Sequence, residues 1–176
     1  MKDKDAWVQT FTGKQFHVFD PSLHEISIID IAHSLSLVCR FNGHCKTFYS
    51  VAEHSWRASF LVQHCDALAA LMHDASEAYL SDISKPVKPH LANYYEIEDG
   101  LMVAIAKKYK FQYPLPPSVK EADVTLLFTE KRDLMGPEPF AWTGTVKPLT
   151  EVIAPMTPAV AKDMFLKRFA QLSMVA

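Results

Sequence analysis

Four histidine and aspartate residues stand at positions where the sequence predicts the buried side of helices. They are His54, His73, Asp74 and Asp123. His54 shares a spacing of three and four residues with Val51, Ala58, Leu61 and Cys65, which is typical of the inward face of a helix. An unpaired carboxylate or imidazole inside a core costs several kcal/mol, so these side chains need a compensating partner. A bound cation would compensate all four at once.

Imidazole and carboxylate groups together suit a divalent transition metal. Zinc, manganese, cobalt, iron and nickel all accept this ligand set, and the sequence leaves the choice among them open. Structural zinc sites usually use cysteine and fill the coordination sphere, whereas two histidines and two aspartates leave room for water. The three cysteines form no C-x-x-C pair, so neither a disulfide framework nor a cysteine zinc site is expected. The pattern therefore predicts a catalytic metal site.

Two predicted helices carry the two histidines. Ser50-Val-Ala-Glu53 is a capping box, which predicts that a helix begins just before His54. Asp66 is expected to cap the next helix, which runs to about residue 80. His73 and Asp74 are neighbours on that helix and would point about 100° apart, so an ion must lie over the seam between them.

The rest of the chain is also predicted to form helices joined by loops. Residues 27–30 and 118–121 resemble capping boxes, a helix is expected over residues 91–108, and Thr157-Pro158 predicts the start of a last helix that ends near residue 173. Prolines and glycines in residues 136–156 predict a long loop, and the first twenty residues predict a short extended arm or hairpin. The expected fold class is all-α, with residues 1–176 as a single domain.

Composition and charge narrow the range of partners. The net charge of −2 argues against a nucleic-acid-binding protein, which usually has a basic face. No apolar run approaches the roughly 20 residues that span a bilayer, and the charged N-terminus lacks the apolar core of a secretory signal. We therefore expect a cytoplasmic protein without nucleic-acid or membrane partners. The apolar segment Phe165–Phe169 and three tryptophans predict a homo-oligomer.

The order of the four candidate ligands resembles that of the HD superfamily of metal-dependent phosphohydrolases. The resemblance extends to residues 49–55 (YSVAEHS), 71–82 (LMHDASEAYLSD), 85–88 (KPVK) and 121–123 (EAD). These segments are similar to those of bacterial 5′-deoxynucleotidases and phage dATP triphosphohydrolases, and the similarity covers roughly residues 27–134. It implies an HD-type helical bundle, a divalent metal held by the four ligands, and a small-molecule nucleotide substrate.

The same resemblance implies roles for further residues. Glu77 and Asp82 match the catalytic carboxylates, and Arg40 matches an arginine that contacts the substrate phosphate. Phe41 stands where the deoxynucleotidases have a tryptophan that lies against the sugar. Glu77 follows His73 by four residues, one turn along the same helix face, where it can act on a water molecule or on the leaving oxygen. Four further candidate phosphate contacts are His44, Lys46, Lys85 and Lys88.

The expected reaction is hydrolysis at the α-phosphorus with departure of the 5′-oxygen of a deoxynucleoside. A divalent metal would support it by lowering the pKa of a water ligand. Both a 5′-monophosphatase and a triphosphohydrolase break this bond, and the sequence does not separate them. One alternative is hydrolysis of another nucleotide, such as a cyclic nucleotide or guanosine tetraphosphate. Another is a non-catalytic binding module with a structural metal, although such a module needs neither Glu77 nor Arg40.

Overall fold

The chain folds into helices preceded by one short hairpin. The computed structural model describes residues 6–142, 144 and 146–174. Within them the elements are β1 (Val8–Gln9), β2 (Gln15–Phe16), α1 (Ile28–Leu37), α2 (Val51–Ala58), α3 (Ala67–Leu71), α4 (Glu77–Leu80), α5 (Tyr94–Tyr109), α6 (Pro117–Leu134) and α7 (Pro158–Ser173). Short 3-10 turns lie at Arg40–Gly43, His64–Asp66 and Lys88–His90. The prediction of a helical class with a short N-terminal hairpin is confirmed. Residues 1–5 of the predicted arm lie outside the described residues.

The hairpin is attached to the helices by a buried carboxylate. β1 and β2 pair antiparallel, with Val8 opposite Phe16. Asp30 on α1 accepts hydrogen bonds from the amide and the hydroxyl of Thr12, at 2.7 and 2.8 Å. Ser27 makes no side-chain bond at the start of α1. The segment that resembles a capping box therefore holds the hairpin in place instead of capping the helix.

The core forms where α7 packs against α1, α2 and α3. Its largest buried side chains include Phe16, Ile31, Leu35, Leu71, Leu101 and Phe165. The Thr157 hydroxyl accepts a hydrogen bond from the Val160 amide and caps α7 as predicted. Phe165 is fully buried, and Phe169 packs against the same core. These phenylalanines are therefore used within the chain, and the homo-oligomer stays a prediction.

The helix predicted from residue 66 to residue 80 is interrupted, so that prediction is wrong. α3 ends at Leu71, and residues 72–76 form turns before α4 begins. Hydrogen bonds from Ala75 N to the Met72 carbonyl and from Glu77 N to the Asp74 carbonyl, both 3.0 Å, span three residues instead of four. His73 and Asp74 therefore lie on a tight turn between two short helices.

The ends of the remaining helices differ in part from the prediction. Ser50 caps α2 as expected, since its hydroxyl accepts a hydrogen bond from the Glu53 amide. α2 ends at Ala58, so Leu61 and Cys65, predicted on its inward face, are exposed. Residues 136–156 contain no helix or strand in the part that the structure describes. None of the described helices is long and apolar enough to cross a membrane.

Candidate metal centre

Three separate parts of the fold bring the predicted ligands together. α2 supplies His54, the turn between α3 and α4 supplies His73, and α6 supplies Asp123. Nε2 of His54 lies 3.2 Å from Nε2 of His73 and 3.4 Å from Oδ1 of Asp123. One ligand atom from each of the three residues lies within 4.8 Å of the other two. These residues form a possible metal-binding group.

Asp74, the fourth predicted ligand, lies beside this group. Its Oδ2 is 3.1 Å from Nε2 of His73 and 3.7 Å from Nε2 of His54. His54 is fully buried, whereas the side chains of Asp74 and Asp123 are 20% and 22% exposed. The group is therefore closed on the histidine side and open to solvent on the carboxylate side.

In both histidines, the hydrogen bond made by Nδ1 fixes the direction in which Nε2 points. Nδ1 of His73 lies 2.8 Å from the carbonyl oxygen of Ala70, which can only accept, so this nitrogen carries the proton. Nδ1 of His54 lies 2.6 Å from Oε1 of Glu130. In the neutral rings both Nε2 atoms are then acceptors, and they face the carboxylate oxygens of Asp74 and Asp123. Acceptors alone repel one another, and a divalent cation satisfies such a donor set.

The electrostatics of the group favour positive charge. Burial and the Arg40 guanidinium lower the pKa of His54, but Glu130 and Asp123 outweigh them and raise it to about 9. Burial raises the pKa of Asp74 and Asp123, yet the neighbouring histidines hold both pKa values well below the ordinary aspartate range. The site therefore stabilises a cation at its centre, as a metal centre requires.

Arg40 and Glu130 form a buried ion pair next to the ligands. Nε of Arg40 donates to Oε2 of Glu130 at 3.1 Å, and Nη1 lies 3.6 Å from Oδ2 of Asp74. Glu130 is fully buried. Burial raises the pKa of Glu130, but Arg40 and His54 lower it to about 2, so it is ionised. Glu130 was not predicted from the sequence. Its position seven residues after Asp123, two turns along the same face of α6, was a usable signal.

The predicted catalytic carboxylates lie in the same region. Glu77 begins α4 and is 5% exposed, and its Oε2 has no hydrogen-bond partner among the described residues. Burial raises the pKa of Glu77 well above the ordinary range, and the charges of Asp74 and Asp82 raise it further. Burial also raises the pKa of the half-buried Asp82, although Arg40 opposes this. Both carboxyl groups therefore interact electrostatically with residues of the candidate metal centre.

Phe41 lies beside the phosphate-binding candidate Arg40. The guanidinium carbon of Arg40 is 5.4 Å from the centre of the Phe41 ring, which also contacts Trp142 with ring centres 6.4 Å apart. Phe41 and Asn42 both have positive φ, at 55° and 52°, a conformation that costs free energy in residues other than glycine. The backbone therefore turns sharply just after Arg40.

The other predicted phosphate contacts are not brought together. Nζ of Lys88 donates to Glu98 at 2.8 Å and lies 3.8 Å from Oε1 of Glu77, so it belongs to the edge of the site. His44, Lys46 and Lys85 are exposed, and in the described part of the chain no side-chain contact links any of them to the four predicted ligands. Lys120, a cation not predicted from the sequence, also reaches the site, since its Nζ lies 2.6 Å from Oδ2 of Asp123.

A cavity of about 560 Å³ lies elsewhere, between α6 and the loop that follows it. Its lining includes Lys46, Phe128, Lys131, Arg132, Gly144 and Val146, and none of the four predicted ligands. This cavity therefore does not mark the candidate metal centre, which is defined by its converging donor atoms.

Comparison with known proteins shows the family of the chain. The fold and the site define a helical protein with a candidate histidine–aspartate metal centre, and no family model matches it. The chain is 41% identical over 171 residues to the uncharacterized protein YfdR of Escherichia coli, and the match covers 96% of each chain. It is 36% identical over 129 residues to an uncharacterized protein of Rhodobacter capsulatus, covering 68% of this chain and 66% of that relative. The chain belongs to the same family as YfdR.

Proposed function

We propose that this protein is a divalent-metal-dependent phosphohydrolase of the HD superfamily that cleaves the 5′-phosphoester of deoxynucleotides. The observation that carries the proposal is the convergence of His54, His73 and Asp123 on one point, with their ligand atoms within 4.8 Å of one another. Oδ2 of Asp74 lies 3.1 Å from Nε2 of His73 and adds a fourth donor atom. The mixed nitrogen and oxygen donors and the solvent access on the carboxylate side are typical of catalytic metal sites.

The chain's own residues supply phosphate binding beside this centre. A bound divalent metal would polarise a phosphoryl oxygen and lower the pKa of a water ligand, which gives a nucleophile at neutral pH. Glu130 accepts a hydrogen bond from Nε of Arg40, which holds the guanidinium in place. Nη1 lies 3.6 Å from Asp74. A planar guanidinium in this position can bind two phosphate oxygens at once.

Glu77 is the best-placed acid for the leaving group. Its buried Oε2 has no partner among the described residues, so it is free to hydrogen-bond a substrate. Burial and nearby carboxylates raise the pKa of Glu77 well above its ordinary value, which favours the protonated form of this side chain. A protonated carboxyl can donate to the departing 5′-oxygen. Asp82, whose pKa is also raised, shares this side of the site.

The charges around the site favour a monophosphate over a triphosphate. Arg40 is paired with Glu130, Lys88 with Glu98, and Lys120 with Asp123. Each of these cations is already partly neutralised by a carboxylate. A triphosphate tail would therefore meet little uncompensated positive charge from these three side chains. We favour the 5′-monophosphatase within the proposed class.

A substrate panel tests the proposal. Deoxy- and ribonucleoside mono- and triphosphates, a cyclic nucleotide and guanosine tetraphosphate are each incubated with the protein and Mn²⁺, Co²⁺ or Zn²⁺. We expect inorganic phosphate from deoxynucleoside monophosphates, and no product after Asp123→Asn. Asp163→Asn is the matched control, because Asp163 is an exposed residue on α7 paired with Lys167. Triphosphate release would select the triphosphohydrolase, and metal binding without any hydrolysis would leave a metal-containing binding module.

A further inference from the structure

We propose that Glu130 is a positioning residue that holds a metal ligand with one carboxylate oxygen and the phosphate-binding arginine with the other. The inference rests on the proposed function, because it concerns the same metal centre. Its consequence is that metal binding and phosphate binding depend on a single side chain. His54 and Arg40 lie 76 and 90 residues from Glu130 in the sequence, so both contacts depend on the tertiary fold.

The geometry of the carboxylate supports both roles. Oε1 lies 2.6 Å from Nδ1 of His54, and Oε2 lies 3.1 Å from Nε of Arg40. Glu130 and His54 are fully buried and Arg40 is 8% exposed, so water does not compete for these bonds. An ionised carboxylate only accepts, so the hydrogen of the His54 ring lies on Nδ1 and Nε2 faces the other ligands. A carboxylate behind a histidine is a common way to orient a metal ligand.

A second buried glutamate provides a comparison within the same chain. Glu53 is also fully buried and lies on α2, next to His54. Its Oε1 accepts from Arg57 at 2.7 and 3.0 Å, and its Oε2 accepts from the Met156 amide at 2.7 Å. These bonds connect α2 to the segment before α7. Burial and an arginine partner are thus common to both glutamates, and only Glu130 reaches a candidate metal ligand.

Replacement by glutamine separates positioning from simple burial. Glutamine keeps the size of glutamate and one acceptor oxygen, but its NH₂ group cannot accept a hydrogen bond. After Glu130→Gln, the amide can accept from His54 or from Arg40, but not from both. Glu53→Gln loses an acceptor in the same way without changing any contact to the ligands.

The experiment compares metal affinity in the wild type, Glu130→Gln and Glu53→Gln. Each protein is stripped with a chelator and titrated with Co²⁺, followed by calorimetry and by the visible absorption of the metal. We expect Glu130→Gln to bind Co²⁺ about 10–100-fold more weakly, with Glu53→Gln unchanged. Inorganic phosphate should bind the Co²⁺-loaded Glu130→Gln protein more weakly than the wild type. Urea unfolding of both variants measures the stability that each loses.

The possible results are distinct. Wild-type Co²⁺ affinity in Glu130→Gln, or an equal loss in Glu53→Gln, would overturn the positioning role. If Glu130→Gln does not fold, Glu130→Asp takes its place, because it keeps both acceptors but moves them back by one methylene, and it too should lose affinity. No hydrolysis is measured in this test. A wild type that hydrolyses no nucleotide would therefore end the proposed function and leave the metal-positioning role standing.

Discussion

The stability of the protein should depend on pH through His54, and a divalent metal should remove that dependence. The pKa of His54 is raised from 6.5 to about 9 in the fold, because Glu130 and Asp123 outweigh burial and Arg40. A raised pKa means that the folded state holds a proton that the unfolded state has lost. The resulting stabilisation is complete below about pH 6.5 and is lost as the pH rises through about 9.

The size of this effect follows from the difference between the two pKa values. A difference of about 2.5, at 1.36 kcal/mol for each pH unit, corresponds to about 3 kcal/mol. For a chain of this length, 1 kcal/mol shifts the midpoint of thermal unfolding by about 2–4 °C. The chelator-treated protein should therefore lose about 6–12 °C between pH 6 and pH 9.5. A metal competes with the proton for Nε2, so its stabilising effect should grow over the same range.

The assay is thermal unfolding across this pH range, with chelator and with saturating Mn²⁺ or Co²⁺. The Cys45 thiol also contributes, because burial raises its pKa to about 11 in the fold, whereas the thiol of the unfolded chain titrates near the upper end of this range. The variant His54→Gln corrects for this contribution, because it removes only the titration of His54. A chelator-treated wild type whose midpoint falls no more steeply with pH than that of His54→Gln would refute the reasoning.

Three further changes test separate parts of the molecule. Glu77→Gln should lower phosphate release by about 10²–10⁴-fold with unchanged Co²⁺ affinity, and unchanged release would exclude the proton-donor role. Arg40→Met leaves the buried charge of Glu130 without its guanidinium partner and should cost about 3–5 kcal/mol in urea unfolding, whereas a loss below 1 kcal/mol would contradict that burial argument. Thr157→Ala removes the cap of α7 and should cost about 1 kcal/mol without changing Co²⁺ affinity. If Thr157→Ala binds Co²⁺ more weakly than the wild type, metal affinity responds to general destabilisation of the fold.

The buried position of His54 could be predicted from the sequence because two local signals agree. The Ser50 cap fixes where α2 begins, and the helical spacing then places His54 on the buried face. The start of α7 follows in the same way from Thr157 and the proline after it. In each case the information lies within a few residues, so it can be interpreted without the rest of the chain.

Other features depend on contacts between distant parts of the chain. Residues 67–75 are rich in alanine and leucine and favour a continuous helix, yet the helix breaks after Leu71. The hydroxyl of Ser34 on α1 donates to the carbonyl of Ala78 at 2.8 Å, which helps to hold α4 in its own orientation. Glu130 was missed for the same reason, because its partners are 76 and 90 residues away. Helix propensity contains no information about such partners.

The break between α3 and α4 has a consequence for attempts to engineer this protein. Thermostabilising substitutions are commonly chosen to extend helices, and the alanine-rich sequence before His73 invites such changes. A continuous helix through residues 72–76 would fix His73 and Asp74 at the regular angle between helical neighbours, and would move them from the directions that the tight turn now gives them. A more heat-resistant variant made in this way should bind metal less well. These five residues are the ones to leave unchanged in a stabilised design.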